Sequence, residues 1–107
     1  AFMKSNPRFS GGNLERNLAA SQPLRDLAGE AGCSTAALAI AWVLAQSLST
    51  LVIPGTRNCD HFAELVEGAN LDLGADLKAE VERRLPIGWC HGDRYSTRQW
   101  IGPQKYC

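Results

Sequence analysis

The chain has 107 residues, 11 basic against 11 acidic side chains and four cysteines, which is enough for at most one ordinary domain with a modest core. Balanced charge excludes a global field that would draw nucleic acid or an anionic membrane, so any basic site has to be local. The longest apolar run falls far short of a bilayer span and no basic segment precedes an apolar one near the N-terminus, the pattern expected of a soluble cytoplasmic protein.

The opening "AFMKSNPRF" does not read as the first strand of a domain, and the expectation is one partial domain, residues 1–107, cut from something longer. In "SGGNLERNLAASQPLRDLAGEAG", Leu14, Leu18, Leu24, Leu27 and Ala28 stand near helical spacing and Gly32 is placed as a stop. Pro23 interrupts that pattern: either the helix kinks there, or Ser21 caps a second segment with Pro23 in its first turn, where its missing N–H does little harm. The next stretch, "CSTAALAIAWVLAQSLS", offers Ser34 or Thr35 as cap and then an Ala-rich run with Leu38, Trp42, Val43 and Ala45. It predicts a helix buried on more than one side, so that residues 10–48 form a helix pair.

"TLVI", residues 50–53, has the length and composition of a fully buried strand ended by Pro54-Gly55, yet the chain offers it no partner. Asn58 is placed to cap a helix over residues 58–68 with Phe62, Leu65 and Val66 facing inward, and "GADLKAEVERRLP" puts Leu77, Val81 and Leu85 on one stripe of a helix over 75–85. Residues 86–107 mix aromatic, glycine and charged residues without a period and read as an ordered or semi-ordered tail. The order of helix, helix, strand, helix, helix, tail predicts a mainly α chain, about four helices and one short strand, drawn from a larger βα architecture whose other strands lie elsewhere.

The junction "LVIPGTRNCDHFAEL" carries the most chemistry. A strand, a glycine-bearing loop and a helix N-terminus together present backbone N–H groups and a partial positive charge to an anion. Gly55 allows close approach, Thr56 offers a hydroxyl, and Arg57 a permanent charge with a forked donor set suited to phosphate. Spacing alone favours a plain turn with Arg57 in solvent and Asn58 as cap.

The segments "PRFSGGNLERNLA", "LAGEAGCSTAALAIAWVLAQ", "VIPGTRNCDHFAELVEGANLDL" and "GDRY" together change that balance, because they resemble the C-terminal third of an aldo-keto reductase of the bacterial and plant type. The resemblance runs over nearly the whole chain, and its most specific element is "AALAIAWVLAQ" followed at short range by "IPGTR". It implies a fragment of a (β/α)8 barrel: paired helices after strand seven, then strand eight, the helix after it, and a C-terminal helix and tail. It further implies an oxidoreductase that transfers a hydride between NADP(H) and a carbonyl or alcohol.

On this resemblance Gly55, Thr56 and Arg57 lie where the family grips the 2′-phosphate and adenosine ribose of NADP. His61 stands where many members have an Arg that approaches the same phosphate, and Glu64 matches an acidic residue near the adenine. Leu65 departs from the pattern, since an Asn usually hydrogen-bonds the adenine edge there and leucine cannot. The family's catalytic Asp, Tyr, Lys and His match nothing in these 107 residues; Tyr95 and Tyr106 sit in the tail. The resemblance therefore predicts no catalytic residue in this chain and no activity by it alone.

Other groupings carry less. Cys59-Asp60-His61 and Cys90-His91 hold zinc-binding residue types at spacings that fit no finger, and no metal site is expected. With no export signal, Cys33, Cys59, Cys90 and Cys107 are expected as free thiols. Trp42 reads as core, and Trp89 and Trp100 as aromatic cover supplied by the tail. A competing expectation is a structural or interaction module: the unpartnered strand and the Ala/Leu/Trp helix expose more apolar surface than one small helical layer can hide, which self-association or a partner chain would cover.

Overall fold

The computed structural model describes residues 5–101, and the chain is mainly helical, with α1 (Asn13–Ala20), α2 (Gln22–Ala31), α3 (Thr35–Leu44), α4 (Cys59–Asn70) and α5 (Gly74–Arg84). Two 3-10 turns, Pro7–Phe9 and Thr97–Gln99, flank them. The chain divides into two compact units, one made of residues 23–84 and the other of residues 5–22 with 85–101. Tyr106 and Cys107 lie outside the described residues.

Of the two alternatives at Pro23, the chain takes the second segment: the helical stretch breaks at Ser21 into α1 and α2. α1 ends at Ser21, whose N–H bonds the Asn17 and Ala19 carbonyls and whose hydroxyl donates to the Leu18 carbonyl at 3.0 Å. Pro23 then occupies the second position of α2, where no intrahelical partner is lost. The stop at Gly32 is a left-handed cap with φ of 71°. Its N–H reaches the Gly29 carbonyl at 3.2 Å and the Cys33 N–H reaches Ala28 at 3.0 Å, the paired bonds of a Schellman termination.

The unit of residues 23–84 holds the apolar core. Leu27 and Ala28 from α2, Leu38 and Ala41 from α3, Val81 from α5 and Leu73 just before it form one cluster, with Leu24, Trp42, Leu71 and Leu77 packed around it. Ser34 starts α3, its Oγ accepting from the Ala37 N–H at 3.0 Å, and Leu38 is fully buried. α3 packs on α4, and the contact is set by Gly68: a Cβ there would stand 2.5 Å from the Ala37 carbonyl oxygen. A glycine on one helix lets the other's backbone approach, and that fixes which face of α4 turns inward.

This registration corrects the expected inward stripe. Phe62 and Val66 are 59% and 44% exposed, Leu65 is half-buried, and Gly68 is the buried residue of α4. At the far side of the core, Arg84 ties α5 to α2, its guanidinium donating to the Pro23 carbonyl at 3.3 Å and to Glu30 at 2.8 Å. Its Nε also donates to Glu80 at 2.6 Å.

A second correction concerns residues 50–53, where no strand forms among the described residues. Exposure alternates as a strand's would, with Thr50 and Val52 half-buried and Leu51 and Ile53 exposed. A strand nevertheless exists only through a ladder of hydrogen bonds to a neighbour. No other described segment is a strand, so the local preference of "TLVI" has nothing to pair with.

The unit of residues 5–22 with 85–101 contains α1, the two 3-10 turns and the tail, which is irregular apart from Thr97–Gln99. Ser96 and Gln99 form a capping box around that turn, and Tyr95 and Trp100 meet edge to face with ring centroids 5.3 Å apart.

Candidate functional site

The loop from Pro54 to Asn58 enters α4 through an Asn cap. The Asn58 Oδ1 accepts from the Asp60 N–H at 2.8 Å and from the His61 N–H at 3.3 Å, and the Phe62 N–H returns to the Asn58 carbonyl at 3.0 Å. Thr56 braces the cap from outside: its Oγ1 accepts from the Asn58 N–H at 3.2 Å and donates to the Asn58 carbonyl at 3.3 Å. Two of the first N–H groups of α4 are thereby bonded within the protein. An anion at this end would meet side chains and the residual helix-end charge more than a ring of free backbone donors.

Gly55 needs no special backbone, since it is absent from the residues with positive φ, and nothing lies within 4 Å of where its Cβ would stand. The space above it is open. Arg57 is exposed and among the described residues forms no ion pair, so its guanidinium is available to an external oxyanion. His61 and Glu64 lie three residues apart on α4 and so share a face, His61 exposed and Glu64 half-buried. Leu65 follows on the same side. The sequence-predicted residues Gly55, Thr56, Arg57, His61 and Glu64 thus all fall on one loop and the first two turns of one helix.

A cavity of about 350 Å³ lies elsewhere, where the C-terminal ends of α3 and α4 meet the start of α5. None of the cradle residues lines it, and a helix as long as α4 puts its two ends about 18 Å apart. Ala41, Ala45, Gly68, Ala69, Gly74 and Ala75 border it, and their small size was the only sequence signal that could have revealed it. Among the described residues no three His, Cys, Asp or Glu side chains converge as a metal set would. Cys33, Cys59 and Cys90 are free thiols. Burial, and secondarily the Glu67 carboxylate, pushes the Cys33 thiol above its ordinary pKa, away from the reactive thiolate form.

Comparison with known proteins gives a consistent result. The Aldo/keto reductase family model matches residues 2–83. The chain is 31% identical over 93 residues to a probable aldo-keto reductase 1 of Glycine max, covering 87% of this chain and 27% of that protein. It is 28% identical over 93 residues to aldo-keto reductase str7 of Strobilurus tenacellus, covering 87% of this chain and 28% of that protein. It therefore spans little more than a quarter of the length of these relatives, and no solved structure matches it. No single helix among the described residues is long and apolar enough to cross a membrane. With a family model covering most of its length, the chain belongs to the aldo/keto reductase family.

Proposed function

We propose that the chain is the C-terminal part of a cytoplasmic NADP(H)-dependent oxidoreductase with a (β/α)8 architecture, inactive when separate, which retains the end of the cofactor site that holds the 2′-phosphate. The observation that carries this reading is Arg57, exposed and without an ion-pair partner among the described residues, beside open space at Gly55 and at the N-terminus of a twelve-residue helix. Forked donor geometry and permanent charge suit the dianionic phosphate that distinguishes NADP from NAD. When bound, the cofactor supplies the hydride for carbonyl reduction.

The residues present fit the phosphate end of the cofactor. Arg57 binds the 2′-phosphate, Thr56 holds the loop in shape through its two bonds to Asn58, and His61 offers an imidazole N–H as a further donor. Glu64 faces the adenosine. Leu65 removes one polar contact to the adenine, which lowers affinity without altering the preference for the phosphate. Hydride transfer also needs a proton donor beside the carbonyl, and that function is assigned to chain outside these 107 residues.

The test is calorimetric titration with NADP, NAD and 2′-phosphoadenosine. NADP and 2′-phosphoadenosine should bind in the millimolar range and NAD more weakly, and Arg57→Ala should abolish the difference. Equal binding of NADP and NAD by the parent, or an unchanged preference in the variant, would remove the assignment.

A second reading, an interaction module, draws on Leu51 and Ile53, which are 89% and 98% exposed next to an unpaired backbone. In it the chain covers this apolar edge with a copy of itself or with a partner chain. Sedimentation at several concentrations distinguishes the two, since a compact monomer at every concentration contradicts the module.

A further inference from the structure

Residues 5–22 with 85–101 cohere in a different way from the rest of the protein. Every buried hydrophobic residue among those described lies between Leu27 and Val81, in the other unit. In the unit of residues 5–22 with 85–101 the buried residue among those described is Asn6, and the polar side chains of Arg8 and Asn17 supply long-range bonds that join its two chain segments.

Asn17, half-buried on α1, is the centre of those bonds. Its Oδ1 accepts from the His91 N–H at 2.7 Å, and its Nδ2 donates to the His91 carbonyl at 2.9 Å. One carboxamide thus satisfies both backbone groups of one tail residue, as a neighbouring peptide would in a strand pair. The same Nδ2 also donates to the Arg8 carbonyl at 3.0 Å, so a single side chain joins three stretches of chain. Arg8 closes the loop by donating from Nε to the Gly92 carbonyl at 3.2 Å.

Gly92 is shaped to this contact. Its φ is 83°, and a Cβ there would stand 2.7 Å from Asn13 Nδ2 and 2.9 Å from the Pro7 carbonyl oxygen. Asn13 itself is held by a 3.0 Å bond to that same carbonyl. The tail can come this close only because residue 92 has no side chain.

We infer that residues 89–93 form a strap latched to α1 by the Asn17 carboxamide, with Gly92 permitting the closed position. The strap opens as a unit while the apolar core of residues 23–84 stays folded. The physical reason is the kind of cohesion involved: hydrogen bonds at a wet surface exchange with water at small net cost, whereas opening the other unit exposes a packed core. Asn17 is a positioning residue, and Cys90, half-buried in the closed form, becomes accessible when the strap lifts.

Site-resolved amide exchange on the whole chain, with alkylation of Cys90 located by peptide mass, tests this. In the parent the His91 amide should exchange more slowly than a free peptide. Asn17→Ala removes both bonds to His91 and should speed its exchange and Cys90 alkylation roughly tenfold, the size expected for losing two modest hydrogen bonds. The amides of Leu38 and Ala41 should not change. Gly92→Ala, which substitutes no residue of α1, should open the strap in the same way. Free-peptide exchange at His91 in the parent would overturn the inference. So would an Asn17→Ala variant with unchanged His91 exchange, or one in which His91 and the α3 amides accelerate equally.

Discussion

Gly68→Ala sets two ordinary effects against each other, and the structure decides between them. In an exposed helix interior the change stabilises a protein by about 0.8–1.0 kcal/mol, because glycine loses more conformational freedom than alanine on folding. At position 68 the added methyl would stand 2.5 Å from the Ala37 carbonyl oxygen, 2.8 Å from its Cα and 2.9 Å from the Ile40 Cβ. Two of those atoms are backbone and cannot rotate away, so α3 and α4 must separate. Overpacking of that kind typically costs about 1–3 kcal/mol, which outweighs the helix-propensity gain over most of that range. The difference is a net destabilisation of roughly 0–2 kcal/mol, against the roughly 5–15 kcal/mol that holds a domain folded. Gly29→Ala is the control: Gly29 is exposed on α2 with nothing within 4 Å of the new methyl, and it should gain about 0.5–1 kcal/mol. Urea unfolding followed by circular dichroism at 222 nm measures both. A Gly68→Ala protein that gains stability as the Gly29→Ala control does would refute the close approach of the two helices.

Three further outcomes are expected. Leu38→Ala empties a fully buried position and should lower stability by about 2–5 kcal/mol in the same urea experiment. Ser34→Ala removes the acceptor for the Ala37 N–H and should cost about 1 kcal/mol, restored largely by Ser34→Asp. Hydrogen bonds from Arg83 and Arg84 hold the Glu80 carboxyl down to about 2, against an ordinary value of 4.5. Its folded pKa is the lower one, so its contribution is complete above about pH 4.5 and fades as pH falls toward 2. Urea midpoints measured from pH 6 down to 2.5 should fall along this path, and Glu80→Gln should flatten that part of the profile. The effect is small because the pairs are solvent-exposed.

The helices were readable because each is fixed by residues close in sequence. Ser34 before an apolar run, Asn58 three residues before His61, Gly32 after the last apolar position and Pro23 near the start of a segment all act within one turn of where they stand. The cradle was equally local: Gly55, Thr56 and Arg57 are consecutive, and His61 and Glu64 lie on the next two turns. The family was legible for a related reason, since "AALAIAWVLAQ" and "IPGTR" are contiguous strings whose combination is specific.

What the string did not disclose depends on which distant segments meet. "TLVI" has strand character, but pairing is a property of two segments, and among the described residues the second is absent. The periodicity of α4 suggested Phe62, Leu65 and Val66 as its inner face, yet the helix turns Gly68 inward because the Ala37 backbone fills the space a side chain would need. Asn17 and His91 are 74 positions apart, and no local rule links a surface-type asparagine on one helix with a backbone near the other end of the chain. Sequence by itself determined the capped helices and the family, both of which are written in residues that act over a short span. Tertiary structure alone decided the helix faces and the polar latch, because steric exclusion and hydrogen-bond pairing are settled only when the partner is in place.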